Sequence, residues 1–124
     1  KIMERISAYG INDKVTLVEN KNDIFDYYNA MDCFAFPSLY EGFGISLLEA
    51  QVNGLQCIAS SNIPIETNVS NSVKYLNISA EPSEWARIIT ELSFNRKRVD
   101  KSIYAEYDIK NTAQKLEEFY LSRG

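Results

Sequence analysis

The sequence predicts an α/β fold built on a parallel sheet, and three observations carry that prediction. Two short apolar runs, Cys33–Phe36 (CFAF) and Gln56–Ser60 (QCIAS), have the length and composition of strands, and the first is continuous enough to expect cover on both faces. Segments with apolar residues three and four apart, the repeat of a helix face, separate and flank these runs. Glycine and proline mark the joints, with Pro37 stopping the first run and Gly54 standing just before the second. Strands alternating with helices imply β-α-β crossovers and hence parallel pairing.

Taken in order, Ile2, Ile6 and Tyr9 or Ile11 fall at helical spacing, and Gly10 sits where a helix C-cap belongs. Residues 15–18 (VTLV) read as a short β-rich run. Asp23 is placed to cap a helix carrying Ile24, Tyr27, Tyr28 and Met31. After CFAF, residues 45–53 (ISLLEAQVN) repeat as a helix and end at Gly54. QCIAS then leads through a loop rich in Ser, Asn and Pro to another apolar run, 73–78. Pro82 and Ser83 open a helix that reaches Leu92 and places Trp85, Ile88, Ile89 and Leu92 on one face. A basic segment, 96–101, reads as exposed, and Asp108 caps a last helix with the stripe Ala113, Leu116, Phe119 and Tyr120. No repeat or interdomain linker interrupts this pattern, so residues 1–124 read as one layered unit. The opening KIMERISAYG reads as the tail of a helix in a molecule that starts upstream.

Composition narrows the function. The chain is 45% apolar and 24% charged, the balance of an ordinary water-soluble globule. Its net charge of -4 argues against a basic surface for nucleic acid or anionic lipid. It has no histidine, which excludes a Ser-His or Cys-His nucleophilic couple and removes the commonest zinc ligand. Cys33 and Cys57 each lie in an apolar run and read as reduced, buried thiols. No stretch approaches the roughly 20 apolar residues of a membrane span, and no signal peptide is visible. The Asn-x-Ser triplets at Asn68 and Asn77 are expected by chance.

Chemistry concentrates in residues 37–54 (PSLYEGFGISLLEAQVNG). A strand stops at Pro37, a short loop carries Glu41, Gly42 and Gly44, and a helix begins near Ile45. In open α/β sheets ligands bind beyond the carboxyl ends of strands, which is where this loop must lie. The two glycines let a ligand approach the backbone, and a helix N-terminus offers unpaired N–H groups and a positive dipole end to phosphate. Glu41 and Glu49 can border one cavity there and accept hydrogen bonds from hydroxyls of a sugar or ribose. Paired carboxylates also serve glycoside hydrolysis, but that requires both to flank a scissile bond. Between residues 22 and 73 there is no Lys or Arg, against the acids Asp23, Asp26, Asp32, Glu41, Glu49 and Glu66. A diphosphate at this loop is therefore expected to draw its cation from the missing part of the molecule.

The run MDCFAFPSLYEGFGISLLEAQVNGLQCIASSNIP resembles the donor-site region of GT-B glycosyltransferases of family 4, and Glu41 and Glu49 match that family's E-x7-E signature. The resemblance extends from Val15 to the last helix. It is nearest to bacterial enzymes of capsular and other exopolysaccharide synthesis, through SNIPIE, the strand near Val73 and Glu84-Trp85-Ala86. It implies a Rossmann-like parallel sheet with flanking helices, forming part of a C-terminal nucleotide-sugar-binding domain, with 108–122 as the helix that crosses back to the acceptor domain. It also implies transfer of a sugar from a nucleotide-sugar donor, a UDP-sugar by family habit, to a hydroxyl of a glycan or lipid-linked acceptor. The anomeric configuration is retained, and neither a cofactor nor a metal is needed.

Carried over by residue, the resemblance assigns donor-sugar hydroxyls and the catalytic position to Glu41, and the ribose hydroxyls to Glu49. It gives the backbone of Gly42, Phe43, Gly44 and Ile45 to sugar and diphosphate. The turn 18–20 falls near the base, although this sequence has Glu19-Asn20 where relatives place a glycine. The implied setting is cytoplasmic, at the inner face of the membrane, with peripheral association of the full-length protein. Read alone, the fragment binds donor without turning it over; a non-catalytic nucleotide-binding or interaction module is the alternative. The two strands of such a domain that precede CFAF in the sheet are absent, and direct pairing of VTLV with CFAF is the expectation.

Overall fold

Three strands of four or five residues, β1 (Cys33–Phe36), β2 (Gln56–Ser60) and β3 (Val73–Leu76), form a parallel sheet in the order β1-β2-β3. Cys33 faces Gln56 and Phe36 faces Ala59 across the first pair, and Cys57 faces Val73 and Ser60 faces Leu76 across the second. The computed structural model describes residues 1–19, 23–92, 96 and 99–123. The α/β architecture with helices flanking a parallel sheet is thus as the sequence predicts.

Helix α3 (Ile45–Val52) makes the crossover from β1 to β2. It turns Leu47, Leu48, Ala50 and Gln51 inward, the residues its 3.6-fold repeat places on one face. Leu47 is fully buried, as are Cys57 and Ala59 of β2, and Tyr28 of helix α2 (Ile24–Ala30) closes the same core at 2% exposure. A fully buried leucine such as Leu47 contributes about 1.5–3 kcal/mol by leaving water. The crossover from β2 to β3 is looser and contains one 3-10 turn, Ile65–Thr67. Gly54 ends α3 with φ of 77°, a left-handed conformation that L side chains disfavour.

Helix α1 (Ile2–Ala8) ends before Gly10, φ 64°, whose N–H donates to the Ser7 carbonyl. Helix α4 (Pro82–Glu91) carries proline in its first turn and leaves Trp85, Ile88 and Ile89 half-buried, with Leu92 buried just beyond. The 3-10 segment Lys101–Tyr107 leads into helix α5 (Ile109–Leu121). Asp108 caps α5 by accepting from the Lys110 N–H at 2.8 Å, as its position in the sequence predicts. The α5 stripe is exposed at Leu116, Phe119 and Tyr120. With little tertiary packing to compensate, Asp108→Ala is expected to cost this helix about 1 kcal/mol and to speed amide exchange in its first turn. Unchanged exchange protection there would refute the cap.

Three expectations need correction. Asp23 stands at the N-cap of α2, but its side chain makes no capping hydrogen bond. Residues 15–18 are not a strand: VTLV has no sheet partner among the described residues, and Leu17 and Val18 are exposed. Apolar composition gives a segment a tendency to pair, but pairing needs a neighbouring strand edge at the right height, and this segment does not reach one. CFAF is also not covered on both faces, since its side chains are half-buried or exposed. β1 is an edge strand, with Ala35 exposed and Cys33, Phe34 and Phe36 half-buried. Cys33 and Cys57 are both free thiols, and burial pushes Cys57 up to about 12. Asn20 of the turn assigned near the base, and Lys97 and Arg98 of the basic segment, lie outside the described residues.

Candidate functional site

Where β1 ends, residues 37–44 turn a corner into α3, and the corner is pinned from beneath. Its carbonyls point toward the β2–β3 loop, and polar side chains there satisfy them. Ser60, at the end of β2, donates to the Ser38 carbonyl, and Thr67 donates to the Phe43 carbonyl. Asn62 donates to the Leu39 carbonyl at 3.0 Å. Ser38 in turn donates to a carboxylate oxygen of Glu41 at 3.0 Å, which holds that half-buried side chain within the loop.

The corner is open on its outer side. A methyl group added at Gly42 would meet nothing within 4 Å. Gly44 is different: it is buried, adopts φ of 85°, and would bring a Cβ to 3.5 Å from both Ile63 and Phe36. As the residue that caps α3, Gly44 has no side chain to offer, so the helix starts without a side-chain cap from its N-cap residue. The Gly44 carbonyl accepts from Leu47 and Leu48, while the N–H groups of Ile45 and Ser46 belong to the set that has no acceptor inside a helix.

One turn further along α3, Glu49 and Ile45 line a cleft of about 490 Å³, with Phe25 of α2 on one side and Lys101, Tyr107 and Asp108 on the other. Tyr107 packs against Phe43 with ring centroids 5.6 Å apart, joining the cleft to the corner. Glu41, Gly42 and Gly44 are not among the residues that line the cleft. The structure therefore brings Glu49 and Ile45 together and connects Phe43 to them. It holds Glu41 in the adjoining loop.

Glu49 accepts from the Tyr28 hydroxyl at 3.0 Å, and the same hydroxyl lies 3.3 Å from the Ser46 carbonyl. Burial, reinforced by the Glu49 carboxylate, pushes the Tyr28 hydroxyl up to about 12, so it remains a donor. Tyr28, Lys101, Tyr107, Ser60, Asn62 and Thr67 were not singled out from the sequence. The cation was expected from the missing part of the molecule, whereas Lys101, at the end of a basic segment read only as exposed, lines this cleft. Among the described residues no three His, Cys, Asp or Glu side chains converge as a metal site, and no helix is long and apolar enough to cross a membrane.

Comparison with known proteins follows the same lines. The family model described as glycosyl transferases group 1 matches residues 1–119. The chain is 30% identical over 126 aligned residues to the capsular polysaccharide biosynthesis glycosyltransferase CapH of Staphylococcus aureus, covering 99% of this chain and 35% of CapH. It is 32% identical over 90 residues to the putative glycosyltransferase EpsF of Bacillus subtilis, covering 72% of this chain and 23% of EpsF. A lipopolysaccharide core biosynthesis mannosyltransferase, LpsB of Rhizobium meliloti, is 35% identical over 60 residues, which is 48% of this chain and 17% of LpsB. The chain thus spans about a third or less of the length of these relatives.

Proposed function

The chain belongs to the glycosyl transferases group 1 family, and from that premise we propose that it is the donor-binding part of an enzyme that moves a sugar from a nucleotide to an acceptor hydroxyl. The observation that carries this reading is the open corner between β1 and α3, with a glycine-capped helix N-terminus beside a carboxylate-lined cleft. Amides at the start of α3 suit a diphosphate, whose leaving charge grows as the glycosyl bond breaks, and Lys101 adds a cation in the same cleft. Glu49 accepts from the ribose hydroxyls and Glu41 from the donor sugar, each acting as a hydrogen-bond acceptor and neither as a covalent nucleophile. The backbone from Gly42 through Phe43 and Gly44 to Ile45 lies along the sugar and diphosphate.

In this proposal rate comes from orienting donor against acceptor and from stabilising the departing diphosphate, with no metal and with retention at the anomeric carbon. The acceptor is a glycan or lipid-linked hydroxyl held by a second domain, and α5, residues 108–122 with its cap, crosses toward it. The exposed stripe on α5 and a relative named for capsular polysaccharide biosynthesis support that picture. The proposed setting is cytoplasmic, at the membrane's inner face. Alone, these 124 residues bind donor weakly and do not turn it over.

The test is a screen of nucleotide sugars with the complete enzyme, reading release of nucleoside diphosphate, first in wild type and then in Glu41→Ala and Glu49→Ala. Each variant is expected to lose about 10- to 100-fold in kcat/KM, the loss of one or two hydrogen bonds to a charged group. Full activity in both variants removes the site assignment. Equal nucleotide affinity for the 124-residue chain and the complete enzyme would remove the proposed dependence on a second domain.

A further inference from the structure

Glu49 can serve as a precise acceptor only if its carboxylate is held, and two residues outside the corner hold it. Tyr28 is 2% exposed and donates to Glu49 Oε2 at 3.0 Å. Its ring is fixed edge-on against Phe25 and Phe34, with centroids 6.3 and 5.7 Å away. The backbone that carries it is fixed in turn by Arg96, which arrives from beyond α4. One guanidinium nitrogen, Nη2, lies 2.6 Å from the Tyr28 carbonyl, 2.5 Å from that of Asn29 and 2.9 Å from that of Met31. The other, Nη1, donates to the Asn53 carbonyl at 3.2 Å.

These carbonyls are the unpaired ends of α2 and α3, where a helix presents negative partial charge and a cation is most stabilising. A single planar side chain therefore ties the C-terminus of α2 to the C-terminus of α3. Tyr28 belongs to the first helix and Glu49 to the second. Any slip between them lengthens the one bond that orients the carboxylate.

We propose that Tyr28 and Arg96 form a two-part brace that positions Glu49, with Arg96 locking α2 to α3 and Tyr28 occupying Oε2, so that Oε1 is presented to a ribose hydroxyl in the cleft. Both are positioning residues. The proposal rests on the reading above that Glu49 takes a nucleotide hydroxyl, and its test separates the two.

The measurement is calorimetric binding to the complete protein of UDP or GDP, whichever the wild type binds more tightly, and of its 2′,3′-dideoxy counterpart. The ratio of the two affinities reports the hydroxyl contact alone, which a merely structural role would not move. Glu49→Ala is expected to abolish a ratio of about 10- to 100-fold. Tyr28→Phe, which keeps the ring and its packing, is expected to lower the ratio roughly 3- to 10-fold with melting close to wild type. Arg96→Met is expected to do the same and Arg96→Lys to restore part of it, because an ammonium still reaches helix-end carbonyls but loses the planar fork.

If Glu49→Ala abolishes the ratio while Tyr28→Phe and Arg96→Met keep it at the wild-type value, the brace is overturned and the role of Glu49 stands. If Glu49→Ala leaves the ratio unchanged, or the wild type binds neither nucleotide, the reading of Glu49 falls and takes the brace with it. Should Tyr28→Phe fail to fold, the Arg96 pair decides: a reduced ratio in Met with partial recovery in Lys supports the brace, and an unchanged ratio in both overturns it.

Discussion

Replacing Gln51 with alanine is expected to destabilise this chain by about 3 kcal/mol, enough to lower its melting temperature by roughly 10 °C. Gln51 is fully buried on α3, yet none of its polar atoms is wasted. Its amide nitrogen donates to the Leu47 carbonyl at 3.1 Å and to the Thr67 carbonyl at 2.7 Å. Its oxygen accepts from the Ser70 N–H at 3.2 Å and the Ser70 hydroxyl at 2.9 Å. Alanine leaves a cavity, removes all four bonds, and strands the Ser70 N–H without its acceptor. Against a total stability of about 5–15 kcal/mol for a domain, that loss is large.

The site is expected to feel it as well, since Thr67 also donates to the Phe43 carbonyl and so passes the disorder of the β2–β3 loop to the corner. Urea unfolding of wild type, Gln51→Ala and Gln51→Leu separates the causes. Leucine refills most of the volume without the bonds, so a stability near wild type for leucine would show that packing rather than hydrogen bonding sets the cost. Alanine within 1 kcal/mol of wild type would remove Gln51 as the hub of this loop.

Gly44→Val is expected to be equally damaging, about 3 kcal/mol, for a conformational reason. The residue holds φ of 85°, where an L side chain costs about 1–2 kcal/mol and a β-branched one is a true outlier. Its Cβ alone would sit at ordinary contact distance, 3.5 Å, from Ile63 and Phe36, so the two methyl groups beyond it have buried neighbours to displace. If φ relaxes instead, the first turn of α3 unwinds and its free amides lose their aim. Gly42→Ala is the control, since that position is open and makes no such demand. The expected result is a near-neutral unfolding midpoint for Gly42→Ala and a strongly reduced one for Gly44→Val. Comparable midpoints for the two variants would contradict the demand for glycine at residue 44.

Much of the corner was legible in the sequence because its signals are local. A strand stopped by Pro37, glycines at 42 and 44, and a helical repeat from Ile45 fix a strand-to-helix corner within a dozen residues, and Asp108 before a helical stripe fixes a cap within three. VTLV shows where local signals fail. Whether an apolar run becomes a strand depends on a neighbour's edge, and the sequence of the run carries nothing about that neighbour. The exposure of Ala35 depends on which layer packs over that face of β1, another neighbour the run itself does not encode.

By itself the sequence determined the α/β order of elements, the absence of histidine chemistry, and the corner that carries Glu41 and Glu49, because backbone preferences and turn chemistry act over a few residues. Only the tertiary structure decided which side chains meet there. Tyr28 lies 21 residues before Glu49, Lys101 lies 52 after it, and Arg96 lies 68 after Tyr28. Contacts over such separations arise when whole helices dock. Their partners are set by the geometry of packed layers, which no short-range pattern in the chain encodes.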